Sequence, residues 1–184
     1  MILSFGGSLG ARKINEAAAD LIAWSSRDDR FQHIHAYGQY GKWFPELLEK
    51  KGVDLKAHKN LDIREYINNM PVCMAAADLV ICRAGAITLT EIQAQGKASL
   101  LIPSPNVAEN HQYHNAMALV SRNAAEILEE KDLTGDSLIA MVKKMISDPI
   151  KLKEYQDNAR AMAILDSSER IYQVIKEVLK KNQS

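Results

Sequence analysis

Only two cysteines, Cys73 and Cys82, occur in 184 residues, and each sits among apolar neighbours. That argues against a disulfide framework or a metal pair, and buried free thiols in a reducing cytoplasm are the expectation. No apolar run approaches the roughly 20 residues that cross a bilayer. The opening Met1-Ile2-Leu3-Ser4-Phe5 lacks the basic flank and long apolar stretch of a signal peptide. Charge of one sign is missing too. The 23 basic and 23 acidic side chains cancel, so bulk electrostatics gives no reason to expect a nucleic-acid partner. Repeats, low-complexity tracts and an interdomain linker are absent. What is present, 47% hydrophobic and 25% charged residues, has the composition of a single globular domain over residues 1–184.

Short apolar runs alternate with longer segments of helical period, the pattern of β–α units around a parallel sheet. Ile2-Leu3-Ser4-Phe5 reads as a strand entering the turn Gly6-Gly7-Ser8-Leu9-Gly10. Residues 11–24 follow as a helix, with Ile14, Ala17, Ala18, Leu21 and Ile22 on one face. Further strands are expected at 32–37, 79–82, 99–102 and 125–128, with a short one at 55–57. Helices are expected at 42–51, 88–95 and 110–122, and residues 63–76 read as a loop and helix interrupted by Pro71. From Thr134 the chain is helical, broken at Asp148-Pro149 and ending in an amphipathic segment over 167–181.

In an open parallel sheet, ligands bind at the carboxyl ends of strands, where loops lead into helix N-termini. Three loops occupy that place: Gly6-Gly7-Ser8-Leu9-Gly10, Arg83-Ala84-Gly85-Ala86, and residues 103–112. In the first, glycines permit positive φ and close backbone approach, the next helix offers free N–H groups to an anion, and Ser8 adds a hydroxyl. A diphosphate suits such a loop, although a merely tight connection has the same composition. It is not Gly-x-Gly-x-x-Gly, and no acidic residue ends the second strand, which disfavours a nicotinamide dehydrogenase. In the second, Gly85 opens a helix N-terminus, Thr88 presents a hydroxyl, and Glu91 lies a turn further on. A carboxylate there can accept both hydroxyls of a ribose; a capping box between Thr88 and Glu91 is the structural alternative. In the third, Asn110-His111-Gln112 and Asn115 offer amides suited to sugar hydroxyls, with helix capping by Asn110 as the alternative.

These segments, in this order and spacing, resemble the donor-substrate half of the MurG family, bacterial transferases that add N-acetylglucosamine to lipid-linked muramyl-pentapeptide (lipid I to lipid II). The matching pieces are Gly6-Gly7-Ser8-Leu9-Gly10-Ala11, Tyr66-Ile67-Asn68-Asn69-Met70, Arg83-Ala84-Gly85-Ala86-Ile87-Thr88-Leu89-Thr90-Glu91, and residues 103–115, so the likeness runs over essentially the whole chain. The resemblance implies an α/β fold, a Rossmann-like parallel sheet flanked by helices, forming one half of a two-domain GT-B glycosyltransferase.

On the same resemblance, Gly7 and Ser8 face the diphosphate of UDP-N-acetylglucosamine. The backbone of Ile67 meets the uracil edge with Met70 nearby. Gly85, Ala86, Ile87, Thr88, Leu89, Thr90 and Glu91 line the nucleotide, Glu91 holding the ribose, and Gln112 and Asn115 bind the sugar. Ala84 departs from the serine of many relatives, removing one hydroxyl. No cofactor and no obligatory metal is implied.

The family's acceptor domain, which precedes this region, would bring the lipid-linked acceptor, the membrane association and a general base. No catalytic residue is therefore assigned in this chain. The reading takes the chain as a piece of a longer enzyme at the cytoplasmic face of the plasma membrane, weakly active alone. A split transferase, a relative with another acceptor and a non-catalytic nucleotide-binding module remain compatible with the residues.

His33, His35 and His58 lie on or beside strands without ligand spacing and read as packing or surface residues. His111 and His114, three apart on one helix, read as part of the sugar-site or capping cluster rather than as metal ligands. Trp24, Trp43 and Phe44 read as helix–sheet contacts, and the basic run 176–181 as a solvated helix end.

Overall fold

The computed structural model describes residues 1–181. Six strands form one sheet: β1 (Ile2–Phe5), β2 (His33–Ala36), β3 (Leu61–Arg64), β4 (Leu79–Cys82), β5 (Ala98–Leu101) and β6 (Glu126–Ile127). Every pairing is parallel and the spatial order is β3-β2-β1-β4-β5-β6, the doubly wound arrangement expected from the alternating pattern. Eight helices are described: α1 (Arg12–Ser25), α2 (Phe44–Lys50), α3 (Met70–Ala76), α4 (Ala86–Gln95), α5 (His111–Val120), α6 (Gly135–Ile146), α7 (Pro149–Ala161) and α8 (Ser167–Lys181).

Strands β1, β4 and β5 are buried at every position, which is why their runs are apolar throughout rather than alternating. Leu3, Phe5, Val80, Cys82 and Leu101 face one side, against Met74, Leu89, Ile92 and Leu119 of α3, α4 and α5. Ile2, Leu79, Ile81 and Leu100 face the other, against Ile14 and Leu21 of α1 and Leu138 and Val142 of α6. Each fully buried Leu or Ile contributes roughly 1.5–3 kcal/mol, so these two layers hold the frame. Both cysteines are buried and free. Burial, and then the nearby Glu91 carboxylate, push the Cys82 thiol up to about 12.

Two expectations need correction. Residues 55–57 form no strand; the third strand is β3, further along. Asp54 accepts hydrogen bonds from Lys56 N–H through its side chain and from Ala57 N–H through its carbonyl. That local turn withdraws those donors from any ladder. Leu61 and Ile63 then alternate toward a cluster with Phe44, Leu48 and Val53, while Asp62 pairs with Arg64. Likewise α4 begins at Ala86, with Gly85 at its N-cap. Thr88 therefore lies inside the first turn, and no capping box with Glu91 forms.

The histidines of β2 are packing residues, as expected. Ser4 Oγ bonds His33 Nε2 at 2.8 Å and His35 Nδ1 at 2.7 Å, and the His35 ring lies 4.4 Å from that of Phe44. His33 Nδ1 and His35 Nε2 are buried without a partner among the described residues. Burial holds His33 down at about 3, helped by the chain's amino terminus. Burial first, then His33, holds His35 well below the usual histidine range, against an opposing hydrogen bond from Ser4.

Helix α8 stands apart. Ile171, Tyr172, Val174, Ile175, Val178 and Leu179 are each at least half exposed, and none joins a core cluster among the described residues. A helix of this length is marginal alone in water, so the stripe is a surface suited to being covered. No helix among the described residues is long and apolar enough to cross a membrane.

Two predictions follow from the frame. Both imidazoles are neutral in the fold and protonate near 6.5 when unfolded, so the unfolded chain binds more protons below that pH. Stability is full above pH 6.5 and falls as pH drops toward about 3, by up to about 1.4 kcal/mol per pH unit for each histidine. Urea unfolding between pH 8 and pH 5 checks this, and a flat profile would contradict it. Separately, Gly38 has φ +75, and a Cβ there would lie 2.1 Å from Gly10 N. Gly38→Ala should cost about 1–3 kcal/mol, read as a lowered urea midpoint.

Candidate functional site

The chain builds β1, β2 and β3 outward in one direction, then returns to place β4 on the other side of β1. The crevice at the carboxyl ends of β1 and β4 is the switch point where doubly wound sheets bind ligands. Register makes it level, since Phe5 pairs with Ala36 on one side and Cys82 on the other, and Cys82 with Leu101. The loops that follow these strands therefore leave the sheet at one height.

The loop after β1 is shaped by its glycines. Gly7 has φ +97 and Gly10 φ +85; Gly10 N–H donates to Gly7 O at 3.0 Å. The turn after β2 clamps the loop from outside: Gln39 N–H donates to Ser8 O at 3.1 Å and Tyr40 N–H to Leu9 O at 3.0 Å. Asn15 Nδ2 donates to Tyr37 O at 2.8 Å and ties α1 to the same turn. Ser8 is left exposed at the loop's crest.

Two helices open on this crevice, and neither has a side-chain cap. Ala11 precedes α1 and Gly85 precedes α4, with no capping hydrogen bond at either. Helices α2, α3 and α5 also lack one, whereas α6 is capped by a reciprocal Thr134–Ser137 box and α7 by Asp148. The first-turn N–H groups of α1 and α4 remain available to an anion.

Two cavities meet at Gly7 and Ser8, which line both. The smaller, about 230 Å³, is walled by Phe5, Tyr66, Ile67, Met70, Thr88 and Glu91. It is apolar on most sides with one carboxylate at its edge. Ile67 is buried, and among the described residues no hydrogen bond uses its backbone N–H or C=O. The larger cavity, about 510 Å³, runs along the glycine loop past Arg83, Ser104, Gln112 and Glu130. A further open hollow of about 410 Å³ lies between α1 and α6 beside Trp24 and Thr134. Of its two carboxylates, Asp20 is paired with Lys51 and Asp136 lies in the first turn of α6, and it lacks both the glycine loop and the strand ends.

The residues singled out from sequence fall into three groups. Gly7, Ser8, Ile67, Met70, Thr88, Glu91 and Gln112 come together around the joined cavities. Gly85 borders them as the N-cap of α4, with open space where a Cβ would stand. Ala86, Ile87 and Thr90 lie exposed on the outer side of α4, the Thr90 hydroxyl bonded back to Ala86 O at 3.0 Å. Leu89 is a core residue on the opposite face of the helix. Asn115 does not line either cavity; its amide donates to Ala84 O at 3.2 Å and pins the loop after β4. Asn110 precedes α5 with φ 51 and makes no capping bond with its side chain.

Sequence reasoning missed Glu130 and gave no role to Arg83. The Arg83 guanidinium donates to Ile102 O at 3.2 Å and Pro103 O at 3.0 Å, and pairs with Glu130. These two side chains are only 17% and 15% exposed, an unusual degree of burial for a charged pair. With a separation of 47 positions along the chain, no local spacing signals the pairing.

Comparison with known proteins agrees with this geometry. Residues 1–178 match the glycosyltransferase family 28 C-terminal domain. The chain is 40% identical over 183 residues to the UDP-N-acetylglucosamine–N-acetylmuramyl-(pentapeptide) pyrophosphoryl-undecaprenol N-acetylglucosamine transferase of Desulforamulus reducens, covering 99% of this chain and 49% of that protein. It is 42% identical over 180 residues to the protein of the same name from Acetivibrio thermocellus, covering 98% and 48%. The crystal structure of Acinetobacter baumannii MurG superposes with a TM-score of 0.80 at 28% identity, over 96% of this chain and 49% of that one. The chain thus spans about half the length of the curated relatives it matches, and its fold is that of one half of a GT-B glycosyltransferase. With the match running from the first strand into α8, the chain belongs to the glycosyltransferase family 28 C-terminal domain family.

Proposed function

We propose that this chain is the UDP-N-acetylglucosamine-binding half of the transferase that converts lipid I to lipid II in peptidoglycan synthesis. The observation that carries the reading is the pair of cavities joined at Gly7 and Ser8, one mostly apolar with Glu91 at its edge and the other running along the glycine loop to Gln112. The uracil edge meets the free backbone groups of Ile67, with Met70 and Tyr66 beside the ring. Glu91 accepts the two ribose hydroxyls. The diphosphate lies over Gly7 and Ser8 between the uncapped ends of α1 and α4, and the sugar reaches Gln112. Asn115 serves the sugar end by holding the loop after β4 in place.

In the proposed reaction a muramyl C4 hydroxyl attacks the anomeric carbon from the face opposite the leaving group, and UDP departs with inversion. Negative charge grows on the leaving diphosphate, and the two helix ends and the Ser8 hydroxyl stabilise it there. The base that takes the acceptor proton, the lipid-linked acceptor itself and contact with the cytoplasmic face of the membrane belong to the other half of the parent enzyme. Two observations support a missing half: the relatives are about twice as long, and the apolar stripe of α8 is exposed among the described residues.

Calorimetric titration tests the reading. The chain should bind both UDP and UDP-N-acetylglucosamine. Glu91→Ala should weaken both by roughly tenfold, about 1.4 kcal/mol, the scale of one lost charged hydrogen bond. Gln112→Ala should weaken only the sugar nucleotide, by a similar factor. No heat with either ligand at millimolar concentration, with the fold intact, would defeat the proposal.

A further inference from the structure

Arg83 and Glu130 do more than fill the floor of the cleft. Arg83 leaves the sheet directly after β4, yet its guanidinium reaches beneath the next strand, donating to Ile102 O and Pro103 O, and ends on Glu130 beyond β6. One planar group thereby staples the carboxyl ends of three neighbouring strands, a task suited to a rigid fork of donors and not to an ammonium. The next residue along, Ser104, donates its backbone N–H to Gln112 Oε1 at 3.0 Å. A backbone N–H can only donate, so the acceptor must be the amide oxygen, and the orientation of the Gln112 amide is chemically determined. Its oxygen is turned toward the loop, and its NH₂ is the part left for the cleft.

Resting on the donor-site reading above, we propose that the Arg83–Glu130 pair is a positioning device for sugar selectivity. Through the stapled segment 102–104 it holds Gln112 with its NH₂ group toward the bound sugar, so the site presents donors where the sugar offers hydroxyl or acetamido oxygens. The pair also neutralises Arg83 beside the diphosphate. The cation is then committed to Glu130, and the nucleotide's phosphates do not recruit it at the expense of the sugar contact. Glu130 and Arg83 both line the larger cavity opposite the glycine loop, so loosening either acts on the sugar end and leaves the base end alone.

The test compares the ratio of affinities for UDP-N-acetylglucosamine and UDP in the wild-type chain, Glu130→Gln and Arg83→Lys. Both substitutions should lower that ratio about tenfold, the scale of one lost hydrogen-bond network member. Glu130→Gln should do so with UDP affinity held or raised, because Arg83 is released toward the phosphates. In the ligand-free chain the Ser104 backbone amide, followed by NMR hydrogen exchange, should lose protection in both variants. That signal does not depend on any ligand. Should Glu130→Gln fold poorly, the neutral double variant Arg83→Gln/Glu130→Gln should show the same lowered affinity ratio and the same loss of Ser104 protection without a buried lone charge, and no gain in UDP affinity, since it has no cation to release. An unchanged affinity ratio together with unchanged Ser104 protection in folded variants overturns the proposal. Failure of the wild-type chain to bind UDP at all defeats the donor-site reading instead, and this proposal with it.

Discussion

The approach of Gly10 to Gly38 is the contact on which the site depends. The two backbones lie so close that a Cβ on either residue would fall within 2.2 Å of the other segment, and both residues hold positive φ. Only glycine satisfies both conditions together. The contact brings the turn after β2 onto the loop after β1, where main-chain bonds to Ser8 and Leu9 lock it. The loop then cannot sag into the crevice, Ser8 stays at the crest, and α1 starts where its free N–H groups face the cleft. A loop made of glycine backbone has few side chains to adjust, so its geometry must come from such an external clamp.

Behind that clamp the sheet supplies position and the helices supply field. The level register of β1, β4 and β5 sets three loops at one height. The absence of side-chain caps on α1 and α4 keeps their termini electropositive. The same logic explains the burial of Arg83 and Glu130. Three strand ends that diverge with the sheet's twist need a cross-tie, and a forked cation bonded to two carbonyls and a carboxylate provides one. Removing either charge would strand the other in a poorly solvated place.

Much of this was legible in the chain itself, for reasons that can be named. Apolar runs buried on both faces announce interior parallel strands, and the glycine clusters mark where such strands turn into helices. Gly7, Ser8, Thr88 and Gln112 are legible because each sits in a loop or first helical turn at a strand's end, and Glu91 because it follows Thr88 by one turn. Other features were hidden. The third strand went unseen at 61–64 because four residues with two charges carry little signal. A motif read as a line does not say which side of a helix faces the cleft, so only the fold shows that the Leu89 side chain packs in the core and that the Asn115 amide bonds Ala84 O.

The sequence by itself determined the doubly wound class, the three loops at the carboxyl ends of the strands and the family, because these rest on local backbone chemistry and periodicity that neighbours in the chain impose on one another. Only the tertiary structure decided which members of each motif share a cavity, that Gly10 and Gly38 must touch, and that Glu130 answers Arg83 across 47 positions. Those facts depend on how separate strands are registered against each other. Burial makes such long-range pairings strong, but nothing in the spacing of residues along the chain encodes them.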